Sequence, residues 1–253
     1  MLYLEFLRIR QRVVIILGLL AALVVLTLVS AGHAHVDVNG SHAEVGKVPL
    51  AALIFVAGFV AAAFGAFLGS SLNSLGESLP SLWTKPVPRV RMAISIIAFD
   101  LLAMLVVWAG TLTLELVTVA GLGLSGHLVV DPMVSAAVEL GLGTALMCYG
   151  NAQAFTAWHQ AKGGMVAGCA WGSYFVLVIL ALVPLSSVLH GIVMALNVLN
   201  PLAYYGISSS QHDGDFSSRA LFTLDASAKV AIVFALGIAG CAIGAFGWKR
   251  MEI

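Results

Sequence analysis

The stretch RVRMAISIIAFDLLAMLVVWAGTLTLEL, residues 89–116, decides the fold. Two arginines open it, and an apolar run from Met92 then continues to about residue 120, interrupted by Asp100 and Glu115. A run of that length matches the roughly 20 helical residues that cross a bilayer core of about 30 Å. The rest of the chain has the same character. Hydrophobic residues make up 60% of its 253 residues and charged residues only 9%, and its mean hydropathy is +1.03. A soluble domain carries about 25% charged residues, so the main solvent of this chain is lipid.

The expected fold is an all-α membrane protein with one domain over residues 1–253. Six spans are expected, at about 13–30, 48–70, 92–116, 133–149, 164–187 and 226–248. Residues 1–12 place Leu2, Phe6 and Ile9 on one helical face and Glu5, Arg8 and Arg12 on the other. That pattern suits a short helix lying in the interface plane. The apolar piece at 188–203 is broken by Asn197, Asn200 and Pro201. It is short for a span and reads as a re-entrant or outer-surface hairpin between helices five and six.

Charge orients this layout. Of the twelve Lys and Arg residues, Arg8, Arg10, Arg12, Lys85, Arg89, Arg91, Lys162, Lys249 and Arg250 share one side, while Lys47, Arg219 and Lys229 lie on or near the other. The positive-inside rule makes the first side, with both termini, cytoplasmic. Net charge is zero, so no basic field argues for nucleic acid.

Asp100 lies about 12 Å along the third span. An intramembrane carboxylate is costly and faces protein or water. It either lines a translocation pathway or pairs with a cation or a neighbouring helix. Glu115 is expected to be solvated at the outer interface. Glu139, about two turns into span four, either lines an outer cavity or caps a neighbouring helix. Gly65 and Gly69, then Gly164, Gly168 and Gly172, then Gly240 and Gly244 recur every fourth residue. Small residues at that period let helix backbones approach closely, within a subunit or between subunits.

Other constellations carry less. His33 and His35 could bind copper or zinc, but such a run is ordinary in a solvated loop. Cys148, Cys169 and Cys241 have no metal-like spacing and read as small buried hydrophobes. Gly123, Ser125 and Gly126 form a Gly-x-Ser-Gly that resembles the serine motif of rhomboid proteases, but the last span has no His to activate the serine. The chain has no Gly-x-x-x-x-Gly-Lys-Ser/Thr loop, so ATP would be bound by a partner.

The inner loop 71–91 is the most distinctive part. The sequence GSSLNSLGESLPSLWTKPVPRVR, residues 69–91, resembles the inner loop of type-2 ABC transporter permeases, in which an acidic element precedes a Trp-Thr-x-Pro-Val-x-Arg stretch. Glu77 and the run from Trp83 to Arg89 match that pattern. The resemblance implies the permease of an ATP-driven exporter, not itself an enzyme, that pairs with a like or related second permease. It implies two cytoplasmic ATP-binding subunits that hold ATP and Mg, and a bacterial inner membrane. It also makes the loop a coupling helix with Leu75, Gly76, Glu77, Leu79, Leu82, Trp83, Lys85, Pro86 and Arg89 at the ATPase contact. The alternative is a non-transporting assembly or anchoring subunit, including a metal or haem maturation factor.

Overall fold

The computed structural model describes residues 2–34, 48–70, 89–130, 132–158, 163–183, 186–205 and 225–250. Among them are seven α-helices: α1 (Leu2–Ala34), α2 (Leu50–Ser70), α3 (Arg89–Gly121), α4 (Val134–Trp158), α5 (Gly163–Leu182), α6 (Ser187–Asn197) and α7 (Ala226–Arg250). Three of these, over Leu50–Ser70, Ala93–Gly121 and Ser227–Gly247, are long and apolar enough to cross a membrane. Their outward faces are rich in large apolar side chains such as Phe59, Phe67, Leu102, Ile238 and Phe246, as lipid contact requires.

Helix α4 is the centre of the bundle, packed along its length against α2 on one side and α7 on the other. Glycine makes both contacts possible. A Cβ on Gly58 would lie 2.7 Å from the Gly141 Cα, and one on Gly69 would lie 2.6 Å from the Ala152 Cβ. On the opposite side, a Cβ on Gly143 would meet Val233 at 2.5 Å and one on Gly240 would meet the Gly150 carbonyl carbon at 2.5 Å. Gly150 faces the Gly237 carbonyl equally closely, and Gly244 seats Gln153. Without side chains the backbones approach closely enough for dispersion to hold them, the main attraction available between helices in lipid.

These contacts fix direction as well as distance. Moving from Gly58 to Gly69 along α2 moves from Gly141 to Ala152 along α4. Moving from Val233 to Gly244 along α7 moves from Gly143 to Gln153. The three helices therefore run parallel. A two-residue parallel strand pair agrees: β1 (Val48–Pro49) precedes α2, β2 (Leu128–Val129) lies ahead of α4, and Val48 faces Leu128. Gly123, with φ of 72°, turns the chain between α3 and a 3-10 helix at Leu124–His127 that leads into β2. At the opposite end α2 finishes, α3 begins with Arg89 and Arg91, and α7 finishes at Lys249 and Arg250. We call this the basic end and the other the far end.

Several boundaries differ from expectation. The N-terminal segment is not a separate interfacial helix, because α1 is unbroken from Leu2 to Ala34. Nothing from residue 2 to residue 17 breaks a helix, and Ile9 is buried in the same core as Ala103 and Tyr149. Helix α3 takes in Arg89 to Arg91, so those residues belong to the helix and not to the loop. Helix α4 runs on past Tyr149 to Trp158, since Gly150 is packed against α7 rather than ending the helix. Helix α5 stops at Leu182. The apolar piece that follows is α6, a turn, and a 3-10 helix at Pro201–Tyr205.

Glycine burial separates two classes of identical-looking position. Gly150→Ala is expected to destabilise the protein by about 1–3 kcal/mol or more through overpacking. Gly172→Ala, where no atom lies within 4 Å of the added methyl, should be neutral or stabilising by up to about 1 kcal/mol. Thermal unfolding of the two variants in detergent checks the contrast.

Candidate functional site

A carboxylate in an apolar helix needs donors, and α4 supplies one. Asp100 is 0% exposed on α3, and its Oδ2 accepts a hydrogen bond of 3.0 Å from the Tyr149 hydroxyl. The Gln153 amide nitrogen in turn donates to the Tyr149 oxygen at 2.8 Å. Tyr149 has a single O–H, committed to Asp100, so Gln153 must present its NH2 to the phenol and its carbonyl elsewhere. One turn on, the Thr156 hydroxyl lies 3.0 Å from the Gly69 carbonyl oxygen and 2.8 Å from its own-helix Ala152 oxygen.

Residues 149, 153 and 156 share one face of α4. That face therefore holds α3 through Asp100 and the last turn of α2 through Gly69. On the flank, Gly244 of α7 rests on the Gln153 Cβ. The Arg12 guanidinium of α1 sits 5.2 Å from the Phe67 ring centroid on α2, a cation–π distance. Helices α2, α3 and α7 thus meet α4 around this polar group near the basic end, with α1 joined to α2.

A second polar group binds the return segment to α5. Asn197 and Asn200 are both 0% exposed. Asn197 donates to the Leu177 oxygen at 3.1 Å, and Asn200 donates to the Tyr174 oxygen and the Asn197 Oδ1, each at 2.9 Å. The Leu202 amide closes on the Asn200 Oδ1 at 3.0 Å. Tyr174 also accepts from Asn151 of α4 at 3.2 Å and packs edge-on against Trp171. Beyond the turn, Ala203 and Tyr204 pack with Met147 of α4 and Val233 of α7. Leu177 and Tyr174 lie well inside α5, so two buried amides sit within the bundle with each side-chain nitrogen hydrogen-bonded, as burial demands.

The sequence candidates are distributed as follows. Asp100 stands in the first group, but Glu139 is exposed in the second turn of α4. It is ten residues from Tyr149 toward the far end, about 15 Å, so the structure does not bring the two carboxylates together. Gly65 packs on Met104 and on the Ala145 oxygen, and Gly69, Gly240 and Gly244 line the α4 contacts. Gly168 and Gly172 meet no atom within 4 Å, and Gly164 lies in the first turn of α5. Arg89 is the first residue of α3 and His33 lies in the last turn of α1. Leu75, Gly76, Glu77, Leu79, Leu82, Trp83, Lys85, Pro86 and His35 lie outside the described residues.

Two expectations change. Glu115 is only half exposed, and its Oε2 is buried without a donor. Of the cysteines, Cys148 is buried and Cys241 half-buried, but Cys169 is exposed on α5. Among the described residues no three His, Cys, Asp or Glu side chains gather as a metal site.

Sequence reading missed Tyr149, Gln153 and Thr156 as a set. Polar side chains at i, i+4 and i+7 in an apolar helix would have found the face that meets Asp100. Lys229, read as one of the cations on or near the far side, is 4% exposed near the start of α7, a burial that the sequence reading did not foresee.

Asn200→Ala removes three hydrogen bonds and strands the Asn197 amide oxygen and the Leu202 amide. A loss of about 1–3 kcal/mol is expected, together with faster protease cutting within residues 186–205. Melting curves and limited proteolysis of the purified variant check both.

The sequence matches no family model, and no curated protein or solved structure matches it either.

Proposed function

We propose that this chain is the membrane-spanning permease subunit of an ATP-driven exporter of the type-2 ABC class. The observation that carries the reading is the inner-loop sequence, with Glu77 followed by the run from Trp83 to Arg89. The geometry around that loop supports it. The helix that enters the loop, α2, and the helix that leaves it, α3, are both hydrogen-bonded to one face of α4. A force applied at the loop is then delivered to α4 and, through Gly244 and Gln153, to α7.

In this reading α1, α2, α3, α4, α5 and α7 are six spans. Helix α6 and its 3-10 helix form a re-entrant hairpin, and the basic end faces the cytoplasm. The hairpin leaves α5 and returns to α7 at the far end, which suits a dip into the outer leaflet. The loop docks on a separate ATPase that carries ATP and Mg, and a second permease chain completes the pathway. Leu75, Leu79, Leu82 and Trp83 are apolar anchors, with Glu77 and Lys85 at the rim. A buried aromatic is a frequent energetic centre of such contacts.

Purification of the tagged full-length chain from its native membranes is expected to recover a nucleotide-binding subunit with ATPase activity. Trp83→Ala should weaken that association by about 2 kcal/mol or more, seen as loss of the ATPase from the eluate. Recovery of a stable complex with no nucleotide-binding chain would overturn the reading.

A further inference from the structure

Gln153 is fully buried, and its side-chain oxygen receives no hydrogen bond from the protein although its amide nitrogen is committed to Tyr149. Reversing the amide does not help, because the Tyr149 hydroxyl hydrogen is spent on Asp100. The neighbours explain the orphan. Gly69 and Gly244 border Gln153, and neither has a side chain that could donate. A buried acceptor without a donor is costly and rare in folded proteins. A water molecule is the smallest donor that can reach it. The route is short, since Trp158 ends α4 five residues beyond Gln153, about 8 Å along the axis.

We propose that the Gln153 carbonyl binds a water molecule drawn from the basic end, and that this water makes the junction of α2, α3, α4 and α7 a wet seam. The junction then has two donors to exchange, the Tyr149 hydroxyl and the water, around one fixed amide. Farther along α4, Gly143 packs on the apolar side chains of Val233 and Phe234. The inference concerns the junction alone and holds for any function of the chain.

Cys241 reports on it, being packed at the edge of the core that contains Tyr149. Full-length protein carrying Cys148→Ala and Cys169→Ala keeps that thiol alone. It is placed in phosphatidylcholine–phosphatidylglycerol nanodiscs and treated with a small charged methanethiosulfonate, which reacts with a thiolate and therefore needs water. Gln153→Met keeps the length and removes the acceptor, so labelling should slow about tenfold, the equilibrium worth of one hydrogen bond to the water. Gln153→Glu keeps an acceptor and should label at least as fast as the parent. Equal or faster labelling of Gln153→Met overturns the proposal, since a purely structural Gln153 would loosen the bundle on replacement. Radiolytic hydroxyl labelling of the unsubstituted protein, which marks side chains beside bound water, provides an independent readout. Tyr149 should be modified, and an unmodified Tyr149 also overturns the proposal.

Discussion

The close approach of three parallel helices, without side chains between them, is the constraint on which the rest of the structure depends. Lipid offers no hydrophobic drive for helices to associate, so they must gain from packing and from hydrogen bonds. Helix α4 meets α2 through Gly58, Gly141 and Gly69, and meets α7 through Gly143, Gly150, Gly237 and Gly240. Each of these positions would need a shift of backbone or neighbour to accept one methyl group. The spacing of α4 from α2 and α7 therefore depends on glycine at these points. Helices α1 and α3 close the other side, with Ile9, Ala103, Met104 and Val107 in one core with Ala61 and Phe64.

Polar side chains then divide the molecule into parts that differ in how they are held. Near the basic end, the Asp100–Tyr149–Gln153 relay and the Thr156 contact hold α3 and the end of α2 to α4. Deeper toward the far end, Asn197 and Asn200 tie the return segment to main-chain oxygens of α5. Helix α5 and that segment form a unit joined to α4 by the Asn151–Tyr174 bond and by the packing of Ala203 and Tyr204. Among the described residues, the seam between α4 and α5 shows none of the glycine contacts of the other two α4 interfaces.

Much of this architecture was legible in the sequence, and the parts that were not share a cause. Apolar runs located the helices, and a four-residue glycine period marked Gly65, Gly69, Gly240 and Gly244. The period could not name partners. Gly141, Gly143 and Gly150 are evident only once the register of α4 against two neighbours is known. The same period in α5 looked equivalent, yet a methyl added at Gly168 or Gly172 would meet open space among the described residues, because small-residue spacing encodes the possibility of contact and not its occupant. Asp100 stood out as a carboxylate in an apolar run. Its partner did not, since a tyrosine in an apolar helix reads as another aromatic. The arginines of residues 8–12 suggested a helix lying on the membrane surface. An uninterrupted set of helix-forming residues carried α1 straight through instead, with Ile9 drawn into the core.

The arrangement is tested most directly by an intramolecular cross-link at the far end, where Val48 faces Leu128. Parallel α2 and α4 beginning at one level place these residues within disulfide reach. In a full-length protein with its three natural cysteines replaced, Val48→Cys with Leu128→Cys should oxidise rapidly to a disulfide inside one polypeptide. Absence of that bond under mild oxidant, or its formation only between separate chains, would contradict the parallel packing from which everything else here follows.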